Sequence, residues 1–171
     1  MFETGAELGE LQRLLDKSFG RSGELLNAVH GPGSRLSAPQ LAGFRGVRLV
    51  AIATVNSKGE PRVSPRSAAF LHGRFYLAVS SKSVTVRRLL ANSSMGLAYY
   101  ENHLLVLGHG TAALLPGGTQ SFDDVRSEWE KAFRGGRDAL RGIDAFLRVD
   151  AVHLVAYARR PDSYPKAWGR R

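Results

Sequence analysis

VRLVAIATVNSKGEPRVSPRSAAFLHGRFYLAVSSKSVTVRRLLANSSMGLAYY, residues 47–100, decides the fold. Residues 49–55, LVAIATV, are apolar on both faces, which fits a strand buried on each side or one wall of a closed barrel, and excludes an exposed edge. Asn56, Ser57, Lys58, Gly59, Glu60 and Pro61 follow, with the Gly and Pro that let a chain reverse, and period-two alternation resumes over residues 62–71. His72 and Gly73 supply a second two-residue turn, because Gly tolerates positive φ, and residues 74–79, RFYLAV, read as a third antiparallel strand. Three strands in meander order are predicted.

Ser80, Ser81, Lys82 and Ser83 then lead into residues 84–91, where Val86, Leu89 and Leu90 fall at helical spacing. Ser83 is the natural N-cap and Asn92 the stop. A helix N-terminus exposes unpaired N–H groups and the positive end of the dipole, so an anion placed there is stabilised before any side chain helps. The hydroxyls of Ser81, Ser83 and Thr85 and the charges of Lys82, Arg87 and Arg88 add to that. Spacing alone leaves two readings open, an ordinary capped helix with solvated arginines and a phosphate berth.

The order of these parts, ATVNSKGEPRVSPRS followed by HGRFYLAVSSKSVTVRRLLANSSMGLAYY, resembles the pyridoxamine 5′-phosphate oxidase-like family of flavin-binding split β-barrels. Its members show a strand ending in ATV, a Gly turn, P-x-V-S-P, a second turn, an aromatic strand, and a loop and helix of the S-x-K-x-x-N-L-x-x-N-P type. The resemblance covers residues 45–115 well and the C-terminal segment loosely. It implies a mainly β chain with flanking helices, folded as a six-stranded antiparallel split β-barrel. It further implies a homodimer holding FMN between subunits and passing hydride to or from a small organic substrate. The cofactor phosphate would lie at Ser80, Ser81, Lys82, Ser83, Thr85, Arg87 and Arg88, and the ring against Val63, Ser64, Pro65 and Arg66. One departure stands out: the basic residues with which the family grips the phosphate fall at Ser83 and Thr85, neither of them charged. Lys82, Arg87 and Arg88 then supply the charge, or the barrel takes another cofactor or none.

Composition narrows the classes. The chain of 171 residues suits one domain: a helical packing segment over 1–45, a barrel core over 46–158 with helices at 83–92 and 119–134, and a basic tail over 159–171. The absence of Cys removes disulfides, thiolate catalysis and Cys-based metal sites. Residues 1–10 lack a basic start and apolar run, and no stretch is long enough for a membrane helix, so a soluble, cytoplasmic protein is expected. The formal charge of +9 raises the prior for anionic partners. Yet the basic residues are scattered, concentrating only at Arg159, Arg160, Lys166, Arg170 and Arg171, so a solvated Arg-rich surface is favoured over nucleic-acid binding.

Elsewhere, Leu8, Leu11, Leu14 and Leu15 form the stripe of an amphipathic helix over 6–17, expected to cover one end of the barrel. A second helix over 22–30 is stopped by Gly31, Pro32 and Gly33, and a third opens at Ser37 with Pro39 in its first turn. A fourth strand is predicted over 95–100 and a fifth over 104–115, with a bulge at Gly108 and Gly110. His103 and His109 would share a face of that strand about 20 Å apart, too far to share a metal. Thr119 caps a helix whose Phe122, Val125, Trp129 and Phe133 pack on the barrel or in a dimer interface, ended by Gly135 and Gly136. A sixth strand, kinked at Asp150 and Ala151, closes the barrel, and Tyr164 or Trp168 in the tail could reach a cofactor held by a second subunit, as the resemblance implies.

No GxSxG, HExxH, P-loop or helix-opening GxGxxG is present. Catalysis would therefore reside in a bound cofactor. Three readings follow: an FMN oxidoreductase, a deazaflavin-dependent reductase whose polyanionic cofactor suits the basic surface, and a non-catalytic barrel that has lost the phosphate grip.

Overall fold

In the computed structural model, residues 3–44, 46–132 and 142–169 are described. Six strands form a closed antiparallel barrel in the order β1-β2-β3-β6-β5-β4: β1 Arg48–Val55, β2 Pro61–Leu71, β3 Arg74–Val79, β4 Ser94–Glu101, β5 Leu104–Pro116 and β6 Ala145–Ala158. Local turns make the β1-β2, β2-β3 and β4-β5 pairs. The β2-β3 turn holds His72 and Gly73 at φ 52° and 72°, and the β4-β5 turn holds Asn102 and His103 at 48° and 63°. Closure comes from β3 pairing with β6, Leu77 opposite Leu147, and β1 with β4, Ala51 opposite Ala98.

The predicted bulge is present. Between β5 and β6 the register steps from His109↔His153 to Gly110↔Ala151, so Val152 has no partner and β6 bends there as one strand of 14 residues. The strand β1 takes the second of its two expected settings, a wall of the closed barrel paired to β2 and β4, with one face exposed. It alternates, Val50, Ile52 and Thr54 facing the core while Leu49, Ala51 and Ala53 are exposed. An apolar outer face is compatible with a barrel wall, and among the described residues Leu49, Ala51 and Ala53 stay exposed on it.

Among the described residues five α-helices dress the barrel: α1 Gly5–Phe19, α2 Glu24–Val29, α3 Ala38–Ala42, α4 Val84–Ala91 and α5 Gln120–Ala132. The stripe Leu11, Leu15 and Phe19 seats α1 on β6, where the Leu154 amide donates to the Ser18 hydroxyl at 2.9 Å. Thus α1 lies along a strand. Phe44, after α3, closes one end against the rings of Phe75 and Tyr99. Phe122, Val125 and Trp129 bury α5 against Phe146, Tyr76 and Leu71, which decides for core packing; Phe133 and the Gly135-Gly136 stop lie outside the described residues.

At the start of α1 a capping box joins Thr4 and Glu7, and Glu7 also meets His72 of the β2-β3 turn at 3.2 Å. Burial alone would raise the Glu7 carboxyl, but the Thr4 amide and hydroxyl and the His72 ring outweigh it and hold the group below its ordinary 4.5. A depressed carboxyl contributes stability that is present above about pH 4.5 and lost as pH falls through the folded value. Glu7→Gln is therefore expected to flatten the loss of stability between about pH 5 and 3, followed by denaturant melts at each pH. Parallel profiles for the two chains would contradict it.

Candidate functional site at the β2–α4 corner

Ser83 caps α4 as its sequence requires, its hydroxyl accepting from the Val86 amide at 3.3 Å. The first intrahelical bond is Arg87 N–H to the Ser83 carbonyl at 3.1 Å, so the amides of Val84 and Thr85 precede the ladder, at the positive end of the dipole. Thr85 is buried, and its Oγ1 accepts from Arg66 Nη2 of β2 at 2.5 Å. That contact brings a guanidinium from a residue 19 positions away to the first turn of α4. Arg66, Arg87 and Arg88 enter no ion pair among the described residues. Arg88 follows Thr85 by one helical turn and is half-buried, while Lys82 and Arg87 are exposed.

The loop ahead of the helix is less open than its composition suggests. Ser80 accepts from the Ser83 amide through its carbonyl. The Ser81 amide and hydroxyl both donate to the Asp144 carboxylate, at 2.6 and 2.7 Å. Those bonds, with Lys82 nearby, hold the Asp144 carboxyl below its ordinary 3.8. An anion already sits on Ser81, and it belongs to the chain. No local pattern joins positions 81 and 144; only barrel closure brings the end of β3 to the start of β6.

The four candidate residues of β2 divide between two faces. Ser64 and Arg66 stand opposite Ile52 and Val50 and are half-buried, with Arg66 reaching α4. Val63 and Pro65 point the other way, opposite Ala53 and Ala51. They join an outer apolar face on which Leu49 is 67% exposed, Val63 73% and Tyr100 71%.

The histidines of β5 and β6 form a pair outside this corner. His109 stacks on His153 across β5 and β6 with centroids 4.9 Å apart and planes 14° from parallel, so the rings lie face to face rather than converging. Burial, then His109 and Arg21, hold His153 below its ordinary value. Among the described residues no three His, Asp or Glu side chains gather into a metal-binding group, and no helix is long and apolar enough to cross a membrane. Trp168's side chain, Arg170 and Arg171 lie outside what is described.

Comparison with known proteins places this barrel. No curated protein matches the sequence. Among solved structures, a conserved hypothetical protein of Mycobacterium tuberculosis superposes with a TM-score of 0.63 at 14% identity, over 80% of this chain and 93% of that one. The heme storage protein HutZ of Vibrio cholerae gives 0.57 at 18% identity, over 70% and 95%. An F420 reductase gives 0.52 at 15% identity, over 67% and 94%. At these identities the likeness is one of fold. The sequence family described as Pyridoxamine 5′-phosphate oxidase matches residues 38–151, which span β1 to β5, the first half of β6, α4 and the β2–α4 corner. With two thirds of its length inside that match and its strands in that family's barrel, the chain belongs to the pyridoxamine 5′-phosphate oxidase family.

Proposed function

We propose that the chain is an FMN-dependent oxidoreductase that works as a homodimer. The observation that carries this reading is the bond from Arg66 to Thr85. The family's basic residue is missing at position 85, and Arg66 delivers a guanidinium to that same position from β2. Residues Arg66, Arg88 and Lys82, with the first amides of α4, would hold the phosphate; Ser83 shapes the helix end, and Ser64, on the same face of β2 as Arg66, would help hold the flavin. When bound, the flavin supplies two-electron chemistry toward a small organic substrate. The chain's own part is to bind, orient and exclude water, and the exposed face of Leu49, Ala51, Val63, Pro65 and Tyr100 supplies the surface for a second copy.

Arg66→Ala is expected to weaken FMN about 10- to 100-fold, the worth of a lost charge-assisted contact, while leaving riboflavin, which lacks the phosphate, nearly unchanged. Fluorescence titration with both flavins checks it. Equal losses for the two would remove Arg66 from the phosphate site. Sedimentation equilibrium of the same preparations is expected to give a dimer, and Leu49→Asp a monomer; a monomeric native chain would contradict the interface.

The +9 charge favours a second reading, a deazaflavin-dependent reductase on the same barrel, since a long anionic cofactor suits a basic surface. F420 in place of FMN in the same titration separates them. A chain that ignores both is the non-catalytic barrel.

A further inference from the structure

The loop between β3 and α4 is held by a carboxylate from the far end of the chain. Both oxygens of Asp144 are spent on one residue: Oδ1 accepts from the Ser81 amide at 2.6 Å and Oδ2 from the Ser81 hydroxyl at 2.7 Å. In the barrel β3 lies between β2 and β6, and Asp144 immediately precedes β6. The start of α4 is thus met by a cation, Arg66, from one neighbouring strand and by an anion from the other.

These side-chain bonds are not what fixes the junction. The Gly117 amide donates to the Asp144 backbone carbonyl at 2.9 Å, and the next residue, Ala145, pairs with Val79 on one side and Pro116 on the other. Asp144 is exposed, so water could serve its carboxylate equally well. Bonding to the Ser81 hydroxyl and amide, with the charge of Lys82, instead keeps it ionised and on the loop. The Ser83 amide is already spent on the Ser80 carbonyl, and the Ser83 hydroxyl on the Val86 amide. A phosphate arriving at this loop therefore meets a negative charge that holds the Ser81 donors. It displaces Asp144 or binds beside it, and either course costs affinity, because like charges at close range disfavour one another.

We propose that Asp144 is a built-in competitor for the phosphate loop, an internal anion that occupies the Ser81 donors and lowers the affinity of the β2–α4 corner for a ligand phosphate. The inference rests on the reading of that corner as a phosphate site. Its consequence is a cofactor that exchanges with solution more readily than the cations around it would allow.

The test is isothermal titration of the full chain with FMN, riboflavin and inorganic phosphate, at about 20 mM and about 500 mM salt, which give weak and strong screening. Asp144→Asn keeps an acceptor oxygen and removes the charge. It is expected to bind FMN about two- to fivefold tighter than the native chain at the lower salt, the size of an exposed charge interaction, and to lose most of that gain at the higher. Riboflavin, which lacks the phosphate, is expected to bind the two chains alike. Asp144→Ala is expected to gain at least as much, and it serves if the asparagine chain fails to fold. Equal or weaker FMN binding in the variants, a gain that riboflavin shares, or a gain that salt leaves intact would overturn the proposal. Should neither native chain nor variant bind FMN, the flavin reading fails separately and inorganic phosphate decides: tighter phosphate binding by Asp144→Asn upholds the internal anion, and unchanged binding overturns it.

Discussion

Trp129→Ala is expected to destabilise the chain by about 3–5 kcal/mol, the range for truncating a fully buried large aromatic. Trp129 is 1% exposed and lies against Phe146 with ring centroids 5.3 Å apart, in a cluster with Phe122, Val125, Tyr76 and Leu71. This cluster is separate from the main core and holds α5 to the outside of β2, β3 and β6, so removing its largest member leaves a cavity that one helix cannot close. For a domain of this size the melting temperature is expected to fall by about 6–20 °C, independent of protein concentration. A loss under about 1 kcal/mol, or one that vanishes on dilution of both chains, would return Trp129 to an interface between subunits.

Gly110→Ala is the second large effect. A Cβ at this position would stand 2.2 Å from the Asp150 carbonyl oxygen and 2.8 Å from the Ala151 Cα, both backbone atoms of the bulged strand. Neither can turn aside as a side chain would, so the β5-β6 pairing must open at the bulge. Overpacking of this kind costs about 1–3 kcal/mol, and a backbone obstacle puts it at or beyond the upper end. Gly96→Ala is the control: its nearest neighbour would be the Ala53 Cβ at 3.6 Å, ordinary contact, and a change within about 0.5 kcal/mol is expected. Equal effects at the two glycines, measured by chemical denaturation, would contradict the account of the bulge.

Those two positions mark how far the sequence could be read. Wherever pairing is local, alternation and turn chemistry sufficed: β3 occupies residues 74–79 and α4 residues 84–91, capped by Ser83, as the pattern required. Gly108 and Gly110 announced a bulge, though not that Val152 on the opposite strand is the extra residue, because register is set by two strands together. An apolar run such as LVAIATV does not say whether both of its faces are covered, and in β1 the outer one is exposed.

The site was legible in its parts and not in its connections. Sequence spacing gathers Ser81, Ser83 and Thr85 at one helix end, but the bonds that define the corner run from Arg66 to Thr85 and from Ser81 to Asp144, across 19 and 63 positions. Contacts of that separation exist only once the barrel closes. Arg159 and Arg160 are exposed, as their scattered setting suggested, but the β4-β5 turn beside them lies 56 residues upstream of Arg159 when counted from His103, and the backbone bond between these two residues forms only on barrel closure.

The central claim is that the β2–α4 corner binds a flavin phosphate, and the visible absorption spectrum of the chain purified from a cell that makes both FMN and F420 tests it most directly. The expected result is a yellow protein with flavin bands, or a colourless one that acquires them saturably on FMN addition and loses that response on Arg66→Ala. A spectrum with no flavin bands, unchanged by excess FMN and by F420, would contradict the claim and leave a barrel without that chemistry.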